Sequence, residues 1–163
     1  MANEPHVAAV CGSLRDESVT RVALEGVEQA GGEGQLLDLR EYDLPAFDPD
    51  VDDEDAGDAA ELARQVREAD AIVLGTPMYH GSYSSNLKTA LEHLRSVCRA
   101  LDAWVLPYQA AVPRSHSAVR DGTFTDEELE ERVVELGREV TQYANIEPSP
   151  PSMESEENVG AVD

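Results

Sequence analysis

Two short stretches concentrate the residues able to do chemistry. Gly12-Ser13-Leu14-Arg15-Asp16-Glu17-Ser18 sets two hydroxyls and a guanidinium among backbone amides beside a glycine. Amides at a helix start attract anions, hydroxyls donate to them, and Arg15 adds a full positive charge, so this set suits a phosphate monoester. The second stretch is Thr76-Pro77-Met78-Tyr79-His80-Gly81-Ser82-Tyr83-Ser84-Ser85. Met78 and Tyr79 offer an apolar wall, and Gly81 lets a flat ligand approach the backbone. Each stretch also has a plainer reading: a helix capped by Ser18 with Arg15 solvated, and an ordinary turn around Pro77 and Gly81.

Other chemistry fails on spacing. A low-molecular-weight phosphatase loop needs an arginine where Glu17 follows Cys11, and a Walker loop needs a glycine where Leu87 precedes Lys88. Gly31-Gly32-Glu33-Gly34 follows no strand, so it is no dinucleotide fingerprint. Asp48, Asp50 and Asp52 begin like a calcium loop, but Asp53 and Ala59 stand where glycine and glutamate are required. His6, His80, His93 and His116 show no metal spacing, and no metal is expected.

The elements that must position these stretches can be read from periodicity. Val7–Cys11, Leu36–Leu39, Ala71–Gly75 and Ala103–Leu106 are short apolar runs typical of buried parallel strands. Between them, helical spacing runs through Val19, Val22, Ala23, Val27 and Ala30, closed by Gly31-Gly32. It resumes through Ala59, Leu62, Ala63, Val66 and Ala69. One long helix is expected from a Ser85 cap to Leu101, and another opens at a Thr125–Glu128 capping box and carries Leu129, Val133, Leu136 and Val140. Tyr42–Gly57 is an acid-rich loop. Alternating strands and helices predict a doubly wound α/β parallel sheet over 1–144, followed by a disordered acidic tail over 145–163. Ligands of such sheets lie beyond the strand ends, which is where both stretches fall. A phosphate cup beside a flat-ring pocket calls for a ligand like FMN.

G-S-L-R-x-x-S after the first strand and T-P-M-Y-H-G-S-Y-S-S-N-L-K after the third resemble the NADPH-dependent FMN reductase family, over roughly Val7 to Tyr143. The resemblance implies a flavodoxin-like fold and FMN as cofactor, with NADPH or NADH as electron donor to a flavin, quinone or other small acceptor. It implies that Ser13, Arg15 and Ser18 bind the FMN phosphate. Pro77, Met78, Tyr79, His80, Gly81 and Ser82 would line the ribityl and isoalloxazine part, and the protein would be a homodimer or homotetramer. The chain departs from the family in one respect. Asn86-Leu87-Lys88 runs straight on toward the last strand, so one strand-loop-helix unit of about 25–30 residues is missing and four strands are expected instead of five. The alternative is therefore a flavodoxin-like electron carrier, or a degenerate FMN-binding or interaction protein without reductase activity. No catalytic acid or base is singled out.

Composition bounds the partners. The 163 residues hold 34 acids and 12 bases, a formal charge of −22, which argues against nucleic acid or an anionic membrane as partner. Lys88 is the only lysine, and the dispersed carboxylates read as a halophile-like surface. Cys11 and Cys98 have no paired spacing, and neither a leader nor an apolar run of about 20 residues is evident, so a cytoplasmic protein with reduced thiols is expected. The broad apolar stripe of Leu87, Leu91, Leu94 and Leu101 suggests self-association.

Overall fold

A computed structural model describes residues 4–30, 34–100 and 105–146. Its element order is β1 (Val7–Cys11), α1 (Val19–Ala30), β2 (Gly34–Asp38), α2 (Ala59–Arg67), β3 (Ala71–Gly75), α3 (Ser85–His93), α4 (Arg95–Ala100), α5 (Ser115–Ala118), β4 (Val119–Arg120), β5 (Thr123–Phe124) and α6 (Glu127–Ala144). Among the described residues, β2-β1-β3 form a parallel sheet in register, Cys11 facing Asp38 on one side and Gly75 on the other. Strands β4 and β5 form a separate two-stranded antiparallel hairpin.

The pleat of β1 explains why helices cover both faces. Ala8 and Val10 point into a core with Leu37, Leu62, Val66, Leu87 and Leu94, under α2, α3 and α4. Val7, Ala9 and Cys11 point the other way, against Leu24, Val27, Val133 and Val140 of α1 and α6. All five residues of β1 are buried, which fits its unbroken apolar sequence. The α/β class with a doubly wound parallel sheet is therefore as the sequence predicts. No described helix is long and apolar enough to cross a membrane.

Several boundaries differ from the sequence expectation. β2 begins at Gly34, two residues early; Leu39 lies past its end, buried, with its N–H donating to the Cys11 carbonyl at 3.1 Å. The single helix expected over Ser85–Leu101 is two: α3 stops at His93 and α4 starts at Arg95. The cap is Ser84, not Ser85, because the Ser84 hydroxyl accepts the Leu87 N–H. At α6 the cap is Asp126, whose carboxylate accepts the Glu128 N–H at 3.0 Å; the Thr125 hydroxyl instead donates to the Ser117 carbonyl at 2.7 Å.

The Gly31-Gly32 stop, Leu101, the first half of the expected strand Ala103–Leu106, and the tail from residue 147 onward lie outside the described residues. Val105 and Leu106 carry no strand pairing. Leu87, Leu94 and Val97 are buried by the protein's own sheet, with Leu91 and Cys98 packed beside them.

Candidate flavin-binding groove

The loops after β1 and β3 are joined by a dense hydrogen-bond junction. The Gly12 N–H donates to the Gly75 carbonyl at 2.8 Å, the Ser84 hydroxyl donates to the Gly12 carbonyl at 2.7 Å, and the Ser84 N–H donates to Thr76 Oγ1 at 2.9 Å. A Cβ on Gly12 would meet Leu87 Cβ at 2.8 Å and the Gly75 carbonyl at 3.2 Å, so only glycine lets α3 come this near. The two stretches singled out from sequence thus meet over one sheet end.

In the first loop, Ser13 and Ser18 are buried to 2% and 5% exposure, while Leu14, Arg15, Asp16 and Glu17 are exposed. The Ser13 hydroxyl accepts the Arg15 N–H at 3.4 Å and the Ser18 hydroxyl accepts the Arg21 N–H at 3.2 Å. Ser18 is thus the cap of α1, and its hydroxyl also faces the buried Cys11 thiol, where hydrogen bonding favours the thiolate. The N–H groups of Val19 and Thr20, in the first turn of a helix, have no carbonyl a turn earlier to receive them. The Arg15 guanidinium has no hydrogen bond or ion pair among the described residues.

Sequence reading missed what braces this loop. Arg21 donates to the Asp38 carboxylate through Nε at 2.9 Å and Nη2 at 2.5 Å, and to the Asp16 carbonyl at 3.0 Å. Arg40 donates to the Asp16 carboxylate at 2.8 Å and lies 3.4 Å from Asp38. Asp38 is largely buried, which makes the double contact from Arg21 the strongest ion pair of the site. Nothing local announces these partners; only the choice of arginine at 21 and 40 in so acidic a chain hints at them.

The third-strand loop ends in a tight reversal. Tyr79 and Ser82 exchange N–H···O bonds of 2.9 Å in both directions, and His80 and Gly81 between them take φ of 51° and 79°, the signature of a type I′ turn. Nothing lies within 4 Å of a Cβ built on Gly81, so its backbone conformation rather than crowding calls for glycine. Met78 is 78% exposed, and Tyr79 and Tyr83 are half exposed. Pro77 is half-buried, whereas His80, Gly81 and Ser82 are exposed.

A groove of about 2290 Å³ connects the two loops. Ser13, Arg15, Ser18, Pro77, Met78 and Tyr79 line it; His80, Gly81 and Ser82 do not. It continues along β3 past Leu74, which is 45% exposed, to Val105 and the segment around Arg114 and Arg120. A second cavity of about 610 Å³ is walled by Glu128, Glu131, Glu135 and Glu139 and would repel a phosphate. Among the described residues no cluster could hold a metal ion. The donor set fits FMN: buried hydroxyls, helix-start amides and a free guanidinium at one end of the groove, exposed apolar side chains at the other.

A family model described as NADPH-dependent FMN reductase matches residues 5–128. The chain belongs to that family. FMN and NADPH are the cofactors of an NADPH-dependent FMN reductase. Over 67 residues the chain is 42% identical to an FMN-dependent NADPH-azoreductase of Staphylococcus aureus, covering 38% of this chain and 35% of that protein. The chain therefore matches about a third of that relative's length. Among solved structures, FerB, a flavoenzyme NAD(P)H:(acceptor) oxidoreductase from Paracoccus denitrificans, superposes with a TM-score of 0.64 at 18% identity. The superposition covers 86% of this chain and 97% of that one, and at this identity it speaks for the fold alone.

Proposed function

We propose that the protein is an FMN-dependent NAD(P)H oxidoreductase that passes electrons to a flavin, quinone or other small acceptor. The observation that carries this reading is the Gly12–Gly75–Ser84 junction, which joins a phosphate-type loop and an aromatic loop along one groove. Ser13 and Ser18 donate hydroxyl protons to the FMN phosphate, Arg15 neutralises it, and the first amides of α1 complete its coordination. Pro77, Met78 and Tyr79 wall the ribityl and ring part, with His80, Gly81 and Ser82 forming the turn at its edge. FMN, when bound, supplies the redox chemistry between nicotinamide and acceptor. The chain's own part is to hold and orient it and to keep water from its apolar face. A cytoplasmic setting and self-association as a dimer or tetramer belong to the same reading; light scattering tests the latter.

The purified protein is expected to be yellow, with a flavin absorbance spectrum, and to oxidise NADPH or NADH. A colourless protein that takes up no added FMN would overturn the reading.

One observation favours a second reading. Leu74 of β3, on the wall of the groove, is 45% exposed. A groove open along that side suits a flavodoxin-like carrier served by a partner reductase. Such a carrier would bind FMN but oxidise NADPH slowly when alone, and a degenerate protein would do neither.

A further inference from the structure

Beyond the flavin residues, the groove carries a second positive rim. The chain's arginines divide sharply by their surroundings. Arg64 and Arg138 pair with glutamates on their own helices, and Arg21 and Arg40 pair with Asp38 and Asp16. The guanidinium groups of Arg15, Arg67, Arg95, Arg114 and Arg120 make no hydrogen bond or ion pair among the described residues. Of these five, all but Arg67 line the one groove. Its lining holds six arginines against five carboxylates, whereas the chain as a whole carries −22. A polyanion that must approach a repulsive protein finds a locally compensated surface here, within the ~10 Å over which charges act in moderate salt.

Arg114 and Arg120 flank α5 on the stretch between Pro113 and α6. Arg114 itself takes φ 51°, and Asp121 and Gly122, just past Arg120, take 50° and 78°. Two left-handed points thus fix the backbone on either side, and neither arginine is spent on a carboxylate. Only Arg114 departs from what its residue type favours; Asp121-Gly122 is the ordinary type I′ turn of the β4–β5 hairpin. α5 packs against α1, the helix that starts at the phosphate loop, so this rim and Arg15 share a wall of the same groove.

We propose that Arg114 and Arg120 bind the phosphates of the nicotinamide dinucleotide. The inference rests on the reductase reading above and extends it from the flavin to the electron donor. Arg15 serves the flavin phosphate at one end, and Arg114 and Arg120 hold the donor's phosphates farther along the groove.

The test is calorimetric titration of FMN-loaded protein with NADP⁺, NAD⁺ and adenosine 2′,5′-bisphosphate, for wild type and the double variant Arg114→Ala, Arg120→Ala. Loss of charge-assisted bonds is expected to weaken NADP⁺ by about tenfold or more. FMN affinity, read from flavin fluorescence, stays unchanged. Arg67→Ala removes the same charge outside the groove and leaves nucleotide binding unchanged. Parallel weakening of NAD⁺ assigns the arginines to the pyrophosphate; weakening confined to NADP⁺ and the bisphosphate assigns them to the 2′-phosphate. Either supports the site. Equal affinity in wild type and double variant, or an equal loss in Arg67→Ala, overturns it while leaving flavin reduction intact. A wild type that takes up no FMN overturns the reductase reading, and this inference with it.

Discussion

Arg15 is the one cation of its loop, and among the described residues its guanidinium makes no hydrogen bond or ion pair, whereas Asp16 is taken up by Arg40. If it serves the flavin phosphate, Arg15→Ala should weaken FMN but not riboflavin, which lacks that group. A charge-assisted hydrogen bond is worth about 1.5–3 kcal/mol, so the loss should be about tenfold to a hundredfold by fluorescence titration. Equal loss for both flavins would assign Arg15 to the fold instead. Cys11 shows the opposite condition. Burial pushes its thiol above the usual value of 9.0, and the nearby Asp38 carboxylate acts in the same direction. In a Cys98→Ala background, Ellman's reagent at pH 8 should leave Cys11 unmodified until urea unfolds the chain; prompt reaction in the native protein would contradict its burial. Because the folded thiol keeps its proton to higher pH than the unfolded one, its contribution to stability is whole below about 9.0 and is lost as pH rises through the folded value.

At the scale of elements, Ser84 does three things: it caps α3, donates to the Gly12 carbonyl, and places its own N–H on Thr76. Ser84→Ala should cost about 1–2 kcal/mol, read as a lower urea midpoint, whereas Ser85→Ala on the exposed side should leave it unchanged. Equal effects would return the cap to Ser85. Two adjacent serines look alike in a sequence; the contact with Gly12 that separates them spans 72 positions. The break between α3 and α4 at Leu94 is hidden for a related reason, since neither glycine nor proline marks it. The hairpin β4–β5 did leave a trace, the Asp121-Gly122 pair whose positive φ makes the turn, but strands of two residues carry no alternation to notice. β1 and β3 were legible because an unbroken apolar run admits few other fates. The two loops that meet over the sheet end were legible as types of residue at strand ends. Their brace of Arg21, Asp38 and Arg40 was not, being assembled from distant positions.

For the molecule as a whole, 34 acids against 12 bases set up self-repulsion that dilute buffer does not screen. If the surface is adapted to salt, the melting midpoint should stand at least about 5 °C higher in molar potassium chloride than in dilute buffer, an increment of about 1–2 kcal/mol for a domain this size. Equal midpoints would remove the halophile-like reading. The same junction of Gly12, Gly75 and Ser84 also limits how such a protein can be rebuilt. The two loops are fastened together by one main-chain bond and by the hydroxyls of Ser84 and Thr76, so neither is an exchangeable cassette. A chimaera that imports a relative's aromatic loop must import with it the glycine after the first strand and the serine at the start of the third helix, or the transplanted loop will have nothing to seat against.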